Sequence, residues 1–167
     1  RYPRYLGTRS PELWDGSRTA PDRIVAVMND TITTAATTTV RVNPTTWSKA
    51  YGFDQGQLRP MPQRWLTVAG QGPVDEGGAL LHEGDVCAQL SLTMRNVESV
   101  LTAAGMGYPD VLRMTVYTTD VDATLASYAA ITERLELSGA TPPTTLIGVC
   151  RLAQPGMAVE IEVTAAR

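Results

Sequence analysis

The sequence is poor in the residues that build metal sites, disulfide frameworks and nucleic-acid contacts. It has two cysteines and one histidine, without a Cys-x-x-Cys or Cys/His cluster, so we expect no metal, no cofactor and no disulfide framework. Cys87 and Cys150 are interpreted as buried, reduced thiols of a cytoplasmic protein. The single lysine and the net charge of −3 argue against nucleic acid as a partner, because such binding needs clustered basic residues. No apolar run approaches the roughly 20 residues of a membrane span.

What is present fits one globular domain with an added segment. The 167 residues are 43% hydrophobic, enough to bury a core without metals or disulfides. Residues 1–27 carry three prolines and a net charge of +2, and they show neither helical nor strand periodicity. We therefore expect residues 1–27 to be an N-terminal extension or arm and residues 28–167 to form the domain. Met28 is a plausible natural start.

The order of elements predicts an α+β fold. Apolar residues recur every three or four positions from Asp85 to Gly105, which indicates an amphipathic helix, and a second helix is expected at 122–137. Residues 51–56 are either strand or turn. Two helices on one face of a mixed sheet form the simplest two-layer sandwich for this order. Strands are predicted at 37–42, 64–71 and 111–118, with two more between 141 and 165.

Several short segments recur in an order that is typical of one protein family. The last two strands contain Thr141-Pro-Pro-Thr-Thr-Leu-Ile-Gly-Val-Cys-Arg-Leu152 and Val159-Glu-Ile-Glu-Val163. Val68-Ala-Gly-Gln-Gly-Pro73 precedes the first helix, which carries Gln89 and Asn96. Together, from about Tyr51 to Ala166, these segments resemble the RidA/YjgF family, also known as endoribonuclease L-PSP proteins, which are best known for hydrolysing reactive enamines and imines.

The resemblance implies a structure and a site. It implies a chorismate-mutase-like sandwich with a mixed six-stranded sheet and two helices on one face, assembled as a homotrimer. It places small-molecule clefts between neighbouring subunits. It also implies a set of functional positions. The catalytic positions are Glu160 and Thr144, and the ligand-binding positions are Gly70, Gln71, Phe53, Thr145 and Tyr117.

The chain departs from the family pattern at the cleft. The deaminases carry an arginine after the proline pair, where this chain has Thr144. Because arginine grips a carboxylate through two hydrogen bonds, threonine cannot replace it. Ala69 stands where the family has serine, and Leu125 where asparagine is frequent. We expect a less cationic, more apolar cleft. Three other arginines are considered as replacements: Arg59, Arg64 and Arg113.

These observations leave three functions open. The first is hydrolysis of an enamine or imine other than 2-aminoacrylate. The second is a non-catalytic trimer that binds a ligand or supports a pathway enzyme, and the third is a ribonuclease, which the acidic composition disfavours. Glu160 is interpreted either as functional or as a solvent-facing strand residue. Tyr117 and Tyr128 are more often core or interface residues than catalytic ones.

Overall fold

Residues 38–167, which the computed structural model of the protein describes, contain six strands and three α-helices. None of the helices in this part of the chain is both long enough and apolar enough to cross a bilayer. The predicted arm at residues 1–27 lies outside the described residues. In chain order the elements are β1 (Val40–Val42), β2 (Gly56–Leu58), β3 (Trp65–Gln71), α1 (Val86–Ala103), β4 (Val111–Thr118), α2 (Val121–Ala126), α3 (Ala129–Leu137), β5 (Thr144–Gly148) and β6 (Val159–Ala166).

The strands of the described region form two sheets. Four of them make a mixed sheet in the order β3-β6-β4-β5, in which β4 and β5 are parallel and the other neighbours are antiparallel. The three-residue strands β1 and β2 pair only with each other. The predicted α+β class is confirmed. The predicted six-stranded sheet is seen here as a four-stranded sheet and a separate two-stranded ribbon.

One face of the four-stranded sheet packs on the helices. Met114 and Val116 of β4 and Val159, Ile161 and Val163 of β6 lie on this face and join the core. The longest helix, α1, adds the apolar stripe that its spacing predicts, with Leu90, Met94, Val97 and Leu101 fully buried. Since side chains alternate along a strand, the intervening residues of β4 and β6 lie on the second face, which the described helices do not cover.

The first helix begins and ends where the sequence predicts. The Asp85 carboxylate accepts a hydrogen bond from the backbone N–H of Ala88 at 2.9 Å, so it caps the N-terminus. Gly105, just beyond the C-terminus, takes the left-handed conformation with φ of 71°.

The second predicted helix is divided into α2 and α3. Ser127 leaves the helical region of backbone space, with φ of −103° and ψ of 9°, and the chain restarts as a helix after Tyr128. Tyr128, beside this break, packs against the core, whereas Leu125 is exposed.

The interpretation of both cysteines as buried is wrong. Cys87 and Cys150 are exposed. Cys87 lies at the start of α1 outside its buried stripe, and Cys150 follows β5, which ends at Gly148, earlier than predicted.

A carboxylate, that of Asp54, ties the β1–β2 ribbon to the loop before β5. Asp54 is 4% exposed and accepts hydrogen bonds from Asn43 and Thr141 at 2.6 Å and from Gln57 at 2.8 Å. Arg41 lies 3.6 Å away. Burial raises the pKa of Asp54, but the hydrogen bonds outweigh burial and the net pKa is lowered. The folded protein therefore stabilises the ionised form of the Asp54 carboxyl group.

The substitution Asp54→Asn should lower the free energy of unfolding by about 2 kcal/mol, because an amide group would face a hydrogen-bond donor in either orientation. A lowered pKa stabilises the fold above the unfolded value of 3.8 and loses that stabilisation as pH falls through the folded value. The deficit relative to wild type, measured by urea unfolding, should therefore persist at neutral pH and shrink only below about pH 3.8. Exposed Glu133→Gln is the control. A deficit equal in both variants would contradict this role.

Candidate functional site

Glu160 lies against the backbone of Gly70 on the second face of the sheet. It alternates with Val159 and Ile161, which are buried against the helices, so its side chain points the other way. A Cβ added to Gly70 would come within 2.7 Å of Glu160 Cδ and still closer to Oε1. The carboxylate therefore occupies the space that any other residue at position 70 would fill.

A β-bulge in β3 positions Gly70 against the Glu160 side chain. The pairing of β3 with β6 shifts register between Val68 and Gln71. Ala69 and Gly70 together therefore lie opposite a single residue of β6. Gln71 donates its side-chain N–H to the carbonyl of Ala69 at 3.1 Å. Its amide thus supports the bulge, and its predicted ligand contact stays a prediction.

Tyr117 completes this group. It lies opposite Glu160 in the β4–β6 register, and its hydroxyl donates a hydrogen bond to Glu162 Oε1 at 2.8 Å. The hydrogen bond to that carboxylate raises the pKa of Tyr117, which favours the neutral phenol. We call Gly70, Tyr117, Glu160 and Glu162 the carboxylate cluster.

The other predicted site residues lie in a cavity of about 410 Å³ beside the edge strand β5. Trp47 and Phe53 meet edge to face, with ring centroids 5.5 Å apart, and Tyr51 lies 6.4 Å from Trp47. We call this cavity the aromatic pocket. It is lined by Trp47, Tyr51, Phe53, Leu125, Tyr128, Thr144, Thr145 and Leu146.

The aromatic pocket carries no formal charge. Among the described residues, no acid, lysine or arginine lines it. The Thr144 hydroxyl donates to the carbonyl of Pro142 at 2.8 Å, so its proton is already engaged. Burial raises the pKa of Tyr128, which therefore stays neutral. The expectation of a more apolar, less cationic cleft between subunits stays a prediction.

The two groups of site residues are separated within one chain. Thr145 pairs with Thr115, whereas Glu160 pairs with Tyr117, two residues farther along β4. Two strand spacings and two residues of strand rise separate Thr145 from Glu160 by about 11 Å. The aromatic pocket and the carboxylate cluster therefore occupy different places in one chain.

None of the three arginines considered as replacements lines the aromatic pocket. Arg59 donates to Gln57 and to the carbonyls of Pro109 and Val111, and Arg64 donates to the carbonyl of Ala104. Arg113 lies instead on the second face of the sheet, in a small cavity with Glu162. The first two are structural residues, and the third is near the carboxylate cluster.

Two polar residues of the resembling segments have structural roles. Gln89 is fully buried, donates to the carbonyls of His82 and Gly156, and accepts from the N–H of Ala158. Asn96 donates to two carbonyls of the loop after β3. Both hold the loops that flank β3 and β6. Among residues 38–167, no group of acids, cysteines and histidines could hold a metal ion.

Sequence reasoning missed part of the site. Trp47, Tyr51 and Leu146 were not singled out, although they line the aromatic pocket with Phe53. A signal was available, since three aromatic residues fall within seven positions of a chain that is only 6% aromatic. That spacing alone does not reveal that a 3₁₀ helix and a turn bring the rings together.

Comparison with known proteins identifies the family. A family model described as "Endoribonuclease L-PSP" matches residues 53–167. Protein DfrA of Myxococcus xanthus is 33% identical over 121 residues, which are 71% of this chain and 83% of DfrA. The chain belongs to the RidA/YjgF family, as its segments predict.

Solved structures agree with this assignment. The Rid family protein YyfB of Yersinia pestis is 32% identical, with a TM-score of 0.68, and the match covers 77% of this chain and 98% of YyfB. Escherichia coli TdcF, solved with bound serine, is 29% identical, with a TM-score of 0.56 and coverage of 69% and 87%.

The substitution Gly70→Ala should move the Glu160 side chain and cost about 1 kcal/mol of unfolding free energy, because the new methyl group takes the carboxylate's place. In a Glu160→Ala background the same substitution should cost much less. Urea unfolding of the four proteins measures this coupling. Gly56→Ala is the control, since its Cβ would meet only an ordinary 3.7 Å contact. Additive effects of the two substitutions would show that the contact is unimportant.

Proposed function

We propose that the protein is a RidA-like hydrolase of an enamine or imine other than 2-aminoacrylate, with its site in the intersubunit cleft of a homotrimer. The observation that carries this proposal is the division of the site residues. One chain presents a neutral aromatic pocket at the edge of its sheet and a carboxylate cluster on the second face, about 11 Å apart by strand geometry.

Exposure of both groups supports the participation of a second copy. Tyr51 and Leu125 of the aromatic pocket are exposed, and Glu160 is half-buried on a face without described helices. An oligomer in which the second face of one subunit meets the β5 edge of the next would bring Glu160 to the pocket. A ring of three such contacts closes with a single kind of interface.

The residues are suited to adding water across a C=N bond. A carboxylate at position 160 accepts a proton from water while the oxygen attacks the carbon, and the nitrogen takes up a proton. Collapse of the carbinolamine breaks the C–N bond, giving a carbonyl compound and an amine. Gly70 keeps the carboxylate in place, since a side chain there would displace it.

The pocket disfavours substrates that carry a carboxylate. Thr144 offers one engaged hydroxyl, and no cationic side chain among the described residues lines the cavity. A bound carboxylate would forgo a charge-assisted hydrogen bond of about 1.5–3 kcal/mol. This loss argues against 2-aminoacrylate, whose carboxylate would lack a partner.

Two measurements test this proposal. Light scattering should give a mass of three 18.0 kDa chains. Imines generated in situ by an amine oxidase should be hydrolysed faster than in buffer, and Glu160→Gln should reduce the rate by about 100-fold. Glu133→Gln, an exposed change on α3, should leave it unaltered. Equal rates with and without protein across carboxylated and uncarboxylated imines would contradict hydrolase activity.

Mixed oligomers test whether the site is shared. Glu160→Gln and Leu125→Arg should each be inactive alone, because one lacks the base and the other fills the pocket. Co-expression in equal amounts should restore about a quarter of the wild-type activity, since some interfaces then combine two intact faces. Absence of any restoration, with mixed oligomers verified by mass, would place both groups within one subunit.

A non-catalytic ligand-binding trimer is the second candidate, and the uncharged lining of the aromatic pocket favours it. Ligand binding without acceleration of any imine hydrolysis would support this function over the first. Ribonuclease activity has no such support, because the chain is acidic.

A further inference from the structure

The segment at residues 47–53 presents three aromatic side chains together at the surface of the domain. A 3₁₀ helix at Trp47–Tyr51 ends at Gly52, whose positive φ of 72° turns the chain so that Phe53 returns toward Trp47. The Trp47 and Phe53 rings meet at 79°, and the Trp47 and Tyr51 rings at 67°. We call Trp47, Tyr51 and Phe53 the aromatic trio.

Two of the three aromatic side chains are exposed, and Phe53 is half-buried. Trp47 is 57% exposed and Tyr51 is 48% exposed, and neither belongs to the hydrophobic core. Contiguous exposed aromatic side chains beside a cavity mark a binding surface, because their exposure to water does not stabilise the folded chain. The cavity of about 410 Å³ falls in the range of small-molecule sites.

The charged side chain nearest to the trio in sequence lines a different cavity. Lys49 lies in the same 3₁₀ helix, but it lines a separate cavity with Arg41, Asp54 and Glu136. The aromatic pocket therefore combines flat apolar walls with tyrosine and threonine hydroxyls, and an anion in it would lose its hydration without a cationic partner.

We infer that the aromatic trio selects a planar cyclic imine whose ring bears no carboxylate. The assignment rests on the proposed function for the C=N bond and adds the substrate class. Ring edges and faces complement an edge-to-face aromatic wall, and a protonated ring nitrogen is attracted to aromatic faces. Open-chain imines of amino acids have no flat ring, and they carry a carboxylate.

The reaction of such a ring has a distinctive outcome. Water adds to the ring carbon of the C=N bond, the proton goes to nitrogen, and the C–N bond breaks. The carbonyl and the amine remain in one molecule, so the ring opens to an amino-aldehyde or amino-ketone and no ammonia leaves. An assay that follows ammonia alone would record no activity.

The binding part of the inference is tested with two flat probes that cannot be hydrolysed. Benzamide and benzoate have the same ring, and only benzoate carries a negative charge. By titration calorimetry the wild-type protein should bind benzamide at least about tenfold more tightly than benzoate. Trp47→Ala should weaken benzamide binding about tenfold. Trp65→Ala is the matched control, because Trp65 is similarly exposed at 64% but lines a different cavity.

Equal binding of the two probes, or benzamide binding that Trp47→Ala leaves unchanged, would overturn the inference. Loss of the oligomer in Trp47→Ala, checked by light scattering, would also overturn it, because the trio would then serve the subunit interface.

The catalytic part compares 1-pyrroline with 1-pyrroline-2-carboxylate, with the carbonyl product trapped chemically as it forms so that the ring does not close again. We expect faster opening of 1-pyrroline and a smaller rate in Trp47→Ala, with the rate in Trp65→Ala unchanged. Turnover of open-chain imines without turnover of 1-pyrroline would overturn the ring specificity and leave the proposed hydrolase intact. Benzamide binding with no turnover of any imine would instead remove the proposed hydrolase function.

Discussion

The pairing of β6 between β3 and β4 is the constraint on which the rest of the structure depends. Its alternate residues Val159, Ile161 and Val163 are buried under the helices, which fixes the register of both neighbours. The same alternation forces Glu160 onto the second face. A slip of one residue would exchange the core with the carboxylate cluster, so the packing energy of β6 also secures the position of its acid.

The long helix and two strands could be predicted from the sequence, because their periodicity is strong and the helix has explicit caps. Asp85 and Gly105 bound α1 as expected, and the strands at 64–71 and 111–118 differ from prediction by at most one residue. The division of the second helix at Ser127 could not be predicted, since no proline or glycine marks it. The ribbon of β1 and β2 depends on side-chain bonds to Asp54, which pattern reading does not detect.

Strand register places some of the predicted site residues together, whereas loops determine the positions of the others. Gly70, Tyr117 and Glu160 lie together because adjacent strands and one bulge align them. Phe53 and Thr144 lie together elsewhere, because a 3₁₀ segment folds over the β5 edge. The family resemblance had predicted that all of these positions lie in a single cleft. The geometry of one chain places them in two separate groups.

Under the proposed function, this separation would allow the fold to change its ligand without losing stability. The carboxylate cluster depends on the central strand, and its supports, Gly70 and the bulge, are part of the sheet. The aromatic pocket depends on an exposed segment and on the edge strand β5, whose Thr144 makes only a local hydrogen bond. A change at Thr144 or in the aromatic trio alters recognition at little cost to the core. Under the proposed function, the carboxylate and the recognition wall belong to different structural units, so a change of substrate need not disturb the chemistry, and threonine at position 144 would change the specificity rather than remove the site.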